Sequence, residues 1–312
     1  MPAAHTFAQK VLSFWFGLPD EWDRASVPIP PALEARWWAG GKELDSYLRE
    51  EYAVHLLAAA RLFETAKRDA ADALGDGEGD HNLLARLWAA ARHAQENVVP
   101  EVQLPPPSSV AVAANPSGAE VEVGQVARFL LSPPPMLITA EKAREILALV
   151  ILLDQFSRNI YRGTSQAFAF DRYSVPIVRQ LVATHAVLLR NTLTPFERFF
   201  FLMPLEHSER DEDHRLGVEL NMELLEDCRQ HSSGARTATT AYFEDVVRDK
   251  SSRAVLIRQF GRYPPRNAAL DRRSTMAERR YLQDRQAALA AGKHGQKDGS
   301  NFMHRLDAAP KF

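Results

Sequence analysis

The chain has 312 residues, 46% of them hydrophobic and 25% charged, which is ample core-forming material for one large or two small globular domains. A formal net charge of −2 gives no whole-chain attraction to nucleic acid or to an acidic membrane, and no uncharged apolar run reaches the ~20 residues that span a bilayer. Cys228 is the only cysteine, so an internal disulfide is excluded; with an opening MPAAHTFAQK that lacks the apolar core of a signal peptide, the expected location is cytoplasmic.

In chain order, Thr6 and Gln9 have capping-box spacing, and a short helix should follow through Phe14, Trp15 and Phe16 to a stop at Gly17. Ala32–Trp38 reads as a helical turn or two. From Lys42 to about Ala73 apolar residues recur at spacings of three and four, as one helix or as two meeting near Glu50. Gly75–Asp80 is a turn-rich break whose alternating acids lack the closing glutamate of a calcium loop, and Asn82–Glu96 is again amphipathic. Residues 98–138 hold two Pro-Pro-Pro runs and no helical period, with Val121–Val123 as a candidate edge strand. They read as a proline-rich insertion, a spacer more than a docking segment.

Thr139 should cap a helix that is apolar almost all round from Ile146 to Leu153, the pattern of a buried helix. It then turns polar through Asp154, Gln155, Ser157, Arg158, Asn159 and Arg162. Thr164 or Asp171 offers the next cap. Thr194-Pro195-Phe196-Glu197 is the clearest start signal, and Pro204 should kink or end that helix. Ser208 offers a cap for a helix to about Gln230. Thr237–Phe260 should form a long helix ended by Gly261, and Thr275 should cap a last one. About ten helices with almost no strand imply an all-α fold, a single domain over 1–290 followed by a polar tail, 291–312.

Three segments place polar residues of fixed geometry among apolar neighbours: Asp154–Gly163, Met203–Glu209 and Phe260–Asn267. Together with Trp15-Phe16-Gly17 they resemble the domain of unknown function 924 family, whose pattern includes WFG, DQFxRNxxRG, PxEHSE and FGRxPxRN in that order. The resemblance runs from Val11 to Leu282 apart from Lys67–Ala140. It implies a stack of helix pairs similar to tetratricopeptide-repeat superhelices, and it implies no reaction. Where the family usually has histidine this chain has Pro265, and Arg253 stands where a second histidine is expected; a family site that used those imidazoles is lost here.

The three segments supply Asp154, Arg158, Asn159, Arg162, Glu206, His207, Glu209, Arg262, Arg266 and Asn267. Two readings follow. In one, these residues form a buried ion-pair and amide network that locks helix ends, within a helical module that binds an unknown protein partner. In the other, converging arginines hold a small anion, a phosphate or a carboxylate; Tyr161 and Tyr263 stack a ring, and His207 is a general base. Metal is a lesser option, since Glu206, Glu209 and the pair His207 and Asp211 share helix faces without the Glu-x-x-His order of dimetal sites. No cofactor motif is present, and Cys228, mid-helix among leucines, reads as inert. From Glu206 to Asp227 nine acids stand against two arginines, and from Arg248 to Arg280 ten basic residues against three acids. Segments so opposite should face each other, which leaves no free basic stripe for nucleic acid.

Overall fold

The computed structural model describes residues 6–17, 29–74, 138–232 and 236–290. Every regular element among them is helical. The 98–138 insertion, apart from Ile138, lies outside the described residues, as do the helix read over Asn82–Glu96 and the tail after 290.

The helices begin where the sequence supplies caps. α1 (Phe7–Phe16) opens on the Thr6/Gln9 capping box and closes at Gly17, whose φ of 76° suits glycine. α2 (Pro31–Glu34) continues into a π-helical turn, Ala35–Ala39, that carries Trp37 and Trp38. α3 (Lys42–Leu74) is continuous, so the division near Glu50 does not occur: nothing in Leu48–Tyr52 breaks a helical backbone, and Leu48, Tyr52 and Leu56 keep one buried face. α4 (Ala140–Ile151) is capped by Thr139, whose hydroxyl accepts from Lys142 N.

α4 then passes through a π-helical segment, Leu152–Phe156, into a last turn, α5 (Ser157–Ile160). A 3₁₀ turn, Ser165–Phe168, leads to α6 (Asp171–Thr192). Neither Thr164 nor Asp171 acts as a side-chain cap. Asp171 is the first residue of α6, and its carboxylate is drawn sideways to arginines.

α7 (Pro195–His207) starts at the Thr194/Glu197 capping box and runs three residues beyond Pro204. α8 (Asp211–His231) has Arg210 at its N-cap, and Ser208 does not cap it. The Ser208 hydroxyl donates to Asp213 and accepts from Arg210 N. α9 (Ala238–Phe260) is ended by Gly261 in the left-handed conformation, φ 67°. A 3₁₀ turn, Pro264–Arg266, precedes α10 (Met276–Ala290), which the Thr275/Glu278 pair caps.

The core is built round α4 and α7. α4 packs against α1, α6 and α7, and α6, α7, α8 and α9 pack on one another in succession. Every residue from Ile146 to Phe156 is at most 1% exposed, as the unbroken apolar sequence requires. On α7, Phe200 sits 5.5 Å from the Trp15 ring, 5.6 Å from Phe16, 5.0 Å from Trp37, 5.9 Å from Trp38 and 5.1 Å from Phe199. This aromatic cluster ties the N-terminal helices to the middle of the chain. The acidic and basic segments do meet: Lys250 pairs with Glu206, Arg258 Nε lies 3.3 Å from Asp211, and Arg272 holds Glu209 at 2.6 and 2.9 Å. Among the described residues no helix is long and apolar enough to cross a membrane.

Candidate functional site

The buried α4 has to end somewhere, and its π segment and last turn carry the polar residues inward to where α6 begins and α7 ends. Asp154 is fully buried. Its carboxylate accepts from Gln155 Nε2 at 2.5 Å, lies 3.1 Å from Arg158 Nη1, and meets His207 Nδ1 at 2.8 Å. Arg158, also fully buried, donates to the Asp154 carbonyl at 2.7 Å and from Nη2 to Asp171 at 2.9 Å. Arg266, from the turn after α9, donates to the His207 carbonyl at 2.8 Å and lies 3.7 Å from Asp171. Its guanidinium stands 4.7 Å over the Phe168 ring and 4.5 Å over Tyr263. The three polar segments thus converge on Asp154, Arg158, His207 and Arg266, with Asp171 as the shared carboxylate.

The other expected site residues are drawn elsewhere. Arg162 forks onto Asp45 at 2.8 and 2.9 Å and reaches Asn159 at 2.5 Å, while Asn159 donates to the Gln155 carbonyl. Glu206 faces Lys250 in the interior and accepts from Asn221 at 3.3 Å. Arg262 forks onto Glu278 at 2.6 and 2.9 Å. Asn267 braces the turn, donating to Ser274 and accepting from Arg272, each at 3.1 Å. Glu209 binds Arg272 and accepts the Tyr263 N–H at 2.8 Å. The expectation of four converging arginines is therefore corrected to two, Arg158 and Arg266, because Asp45 and Glu278 capture the others.

The ring-stacking pair is corrected too: Tyr161 stacks on Phe170, and Tyr263 is buried with Arg266 on its face. The acids proposed as metal ligands each face a cation: Glu206 has Lys250, Glu209 has Arg272, and Asp211 has Arg215 at 3.1 Å. Among the described residues no group of three His, Cys, Asp or Glu side chains is placed to hold a metal ion.

A cleft of about 430 Å³ opens beside this cluster. Phe168, Asp171, His207, Glu209 and Arg266 line it, together with Arg172, Arg179 and Arg210 and the acids Glu64 and Asp213. Arg158 is behind the wall, not in it. Burial pushes the Asp171 carboxyl up to about 6; Arg158 and Arg266 pull it back only in part, and the Asp154 carboxylate adds to the rise. Burial also works against the Glu209 charge, but Arg272, the Tyr263 N–H and Arg266 hold its carboxyl below the ordinary range. In the interior, burial raises Glu206 and lowers Lys250 despite their pairing.

The raised Asp171 carboxyl makes a pH prediction. Its folded value lies above its unfolded value of 3.8, so its contribution is fully present below 3.8 and lost as pH rises through 6. Comparing urea midpoints at pH 4.5 and 6.5, Asp171→Asn should remove part of the stability that wild type loses over that interval. An identical pH slope in both proteins would refute the assignment.

Residues 134–286 match the model of a family described as a bacterial protein of unknown function, DUF924. This segment belongs to the DUF924 family. The DUF924 segment holds the whole Asp154–Arg158–Asp171–His207–Arg266 cluster, while Asp45 and Glu64 on α3, outside the match, pair with Arg162 and Arg172. At the two positions where the resemblance leads one to expect histidine, Arg253 is buried and pairs with Asp249 at 3.0 Å, and Pro265 sits in the 3₁₀ turn. No curated protein matches the chain. Among solved structures, a protein of unknown function from Agrobacterium tumefaciens matches at 20% identity over 72% of this chain and 97% of its own, with a TM-score of 0.37.

Asp171, Phe168, Lys250, Arg272 and Asp45 were missed as site or network residues. Asp171 carried a signal, an acid eight residues beyond the first polar segment, but helix capping explained it equally well from sequence. Asp45 and Lys250 carried none, since a charged residue on a helix looks solvated until its neighbours in space are known.

Proposed function

We propose that this DUF924 protein binds a small anion, a phosphate or a carboxylate, in the cleft at the C-terminal end of α7. The observation that carries this reading is Arg266: a guanidinium 3% exposed that nevertheless lines the cleft, aimed by the His207 carbonyl and held over two aromatic rings. A fork fixed in this way loses little freedom when an anion arrives. Its acidic neighbour is a weak competitor, since Asp171 lies 3.7 Å from Arg266 but 2.9 Å from Arg158 and carries a raised carboxyl. Arg172, Arg179 and Arg210 also border the cleft, but each stands beside an acid, Glu64 at 3.7 Å, Asp213 at 2.6 Å and Glu212 at 3.8 Å, so the reading rests on Arg266.

The second reading, a binding module whose cluster is chiefly structural, draws support from the same hydrogen bonds, because each selected side chain is engaged by the protein itself. It gains less from the surface. The large exposed apolar residues among the described ones include a single aromatic, Tyr47, beside Val187, Met222, Val255, Met276 and Leu57.

Thermal shift and calorimetry with phosphate, pyrophosphate and citrate separate the two. For the anion reading, one of these ligands at about 100 times its Kd should stabilise wild type by about 2.7 kcal/mol. Arg266→Lys, which keeps the charge and loses the fork, should weaken binding tenfold or more, on the order of 1.4 kcal/mol. Wild type that none of the three ligands stabilises, with Arg266→Lys only lowering the melting temperature, would leave the structural reading standing.

A further inference from the structure

The end of α7 opposite His207 carries two hollows that share a wall. The first is an apolar slot of about 180 Å³ between α6, α7 and α8, lined chiefly by Val182, Leu189, Leu193, Phe201, Leu202 and Leu220. It lies where α6 breaks. His185 leaves the helical dihedrals (φ −136°, ψ 24°), and the Thr184 hydroxyl donates to the Gln180 carbonyl at 2.7 Å, a back-bond that bends helices. The second hollow is a polar cleft of about 940 Å³ formed by the ends of α6 and α8 and the starts of α7 and α9. Val187, Arg190 and Arg198 line both, so the slot opens onto the cleft beside two guanidiniums.

Those guanidiniums share one acid. Arg198 Nη1 donates to Asp227 Oδ2 at 2.6 Å, and Arg190 Nη2 donates to Oδ1. Among the described residues that line the cleft, Asp227 is the one carboxylate, so the arginine pair keeps a surplus positive charge there. Glu223 lines the slot but not the cleft, so a negative group is repelled at that lip and drawn to the arginine end. Apolar walls with a few polar groups gathered at one end suit a ligand that is itself apolar with one charged end.

We propose that slot and cleft together bind a straight-chain fatty carboxylate of about six to eight carbons, a size set by analogy with apolar cavities of about 150 Å³ that hold a six-carbon ring. The chain lies in the slot against Leu189, Phe201 and Leu202. The carboxylate sits at the junction, on the guanidinium donors that Asp227 leaves over. This site is separate from the cleft of the anion reading and does not depend on it.

Calorimetry on the whole chain with butanoate, hexanoate, octanoate, octylamine and 1-octanol tests it. Octanoate should bind one per chain, and each methylene added between butanoate and hexanoate should tighten binding about fourfold. Octylamine, with the opposite charge on the same chain, should bind at least about tenfold more weakly than octanoate. Arg190→Gln should weaken octanoate about tenfold and leave 1-octanol unmoved, since only the head loses a partner. Ala186→Phe, at an exposed position on the slot wall, should weaken octanoate and 1-octanol alike by about tenfold or more. If Ala186→Phe does not fold, the comparison of octanoate with octylamine decides alone. Octanoate that does not bind one per chain, octylamine that binds as tightly, or a folded Ala186→Phe that binds octanoate as wild type does overturns the proposal.

Discussion

Phe200→Ala should lower the unfolding free energy by about 3–5 kcal/mol, the range for deleting a fully buried aromatic ring. The site leaves no route to relax. Phe200 is fully buried and lies among Trp15, Phe16, Trp37, Trp38 and Phe199, all with ring centroids within 6 Å. Those rings are large and mutually packed, so none can swing into the void without opening another. They also belong to α1, the π turn after α2, and α7, so the loss should loosen the grip of the N-terminal helices on α7. Urea unfolding monitored by tryptophan fluorescence reads it directly, since three of the ring partners are tryptophans. A loss under 1 kcal/mol would mean that the cluster is less closely packed than described.

Arg158→Met should cost a similar amount, about 3–5 kcal/mol, by a different route. Methionine roughly keeps the length and the apolar stem, so little packing is lost. What goes is the positive charge between two carboxylates, Asp154, which is fully buried, and Asp171, which keeps 17% of its side chain exposed to the cleft. The penalty should be smaller at pH 5 than at pH 8, because protonating Asp171 removes one of the two stranded charges. Adding Asp171→Asn to Arg158→Met should recover part of the loss, and the double-mutant cycle over the pair isolates their coupling. Independent, additive losses would show that the arginine acts through packing and not through charge.

Much of the helical frame was legible because it is written in local chemistry. Thr6, Thr139, Thr194, Thr237 and Thr275 each precede a helix and accept its backbone hydrogen bonds as the spacing demands. The all-apolar face of α4 announced its burial, and the convergence of the Asp154, His207 and Arg266 segments was readable from polar residues lodged among apolar ones. What was not legible is how the charges pair. Arg162 selects Asp45, which is 117 residues away, and Arg262 selects Glu278 in the helix that follows it; no periodicity distinguishes these partners from any other surface acid. Asp171 and Ser208 have the residue type and position of helix caps, and side-chain pairing uses the same residue types at the same kind of position. The three-dimensional neighbourhood decides, and it gave both to side chains instead.

The π segment at Leu152–Phe156 sets the angular phase of everything that follows it on that helix. Such a turn accommodates one residue beyond the regular α-helical count. Closing this stretch to ordinary winding with all five residues kept would rotate the downstream turn by roughly 100°, about one residue's step. Arg158 would then swing off Asp171, and Arg162 off Asp45, with no side chain chemically altered. A one-residue deletion in this stretch takes out that extra residue instead, so the shortened helix can close to ordinary winding with the downstream turn still in phase with its partners.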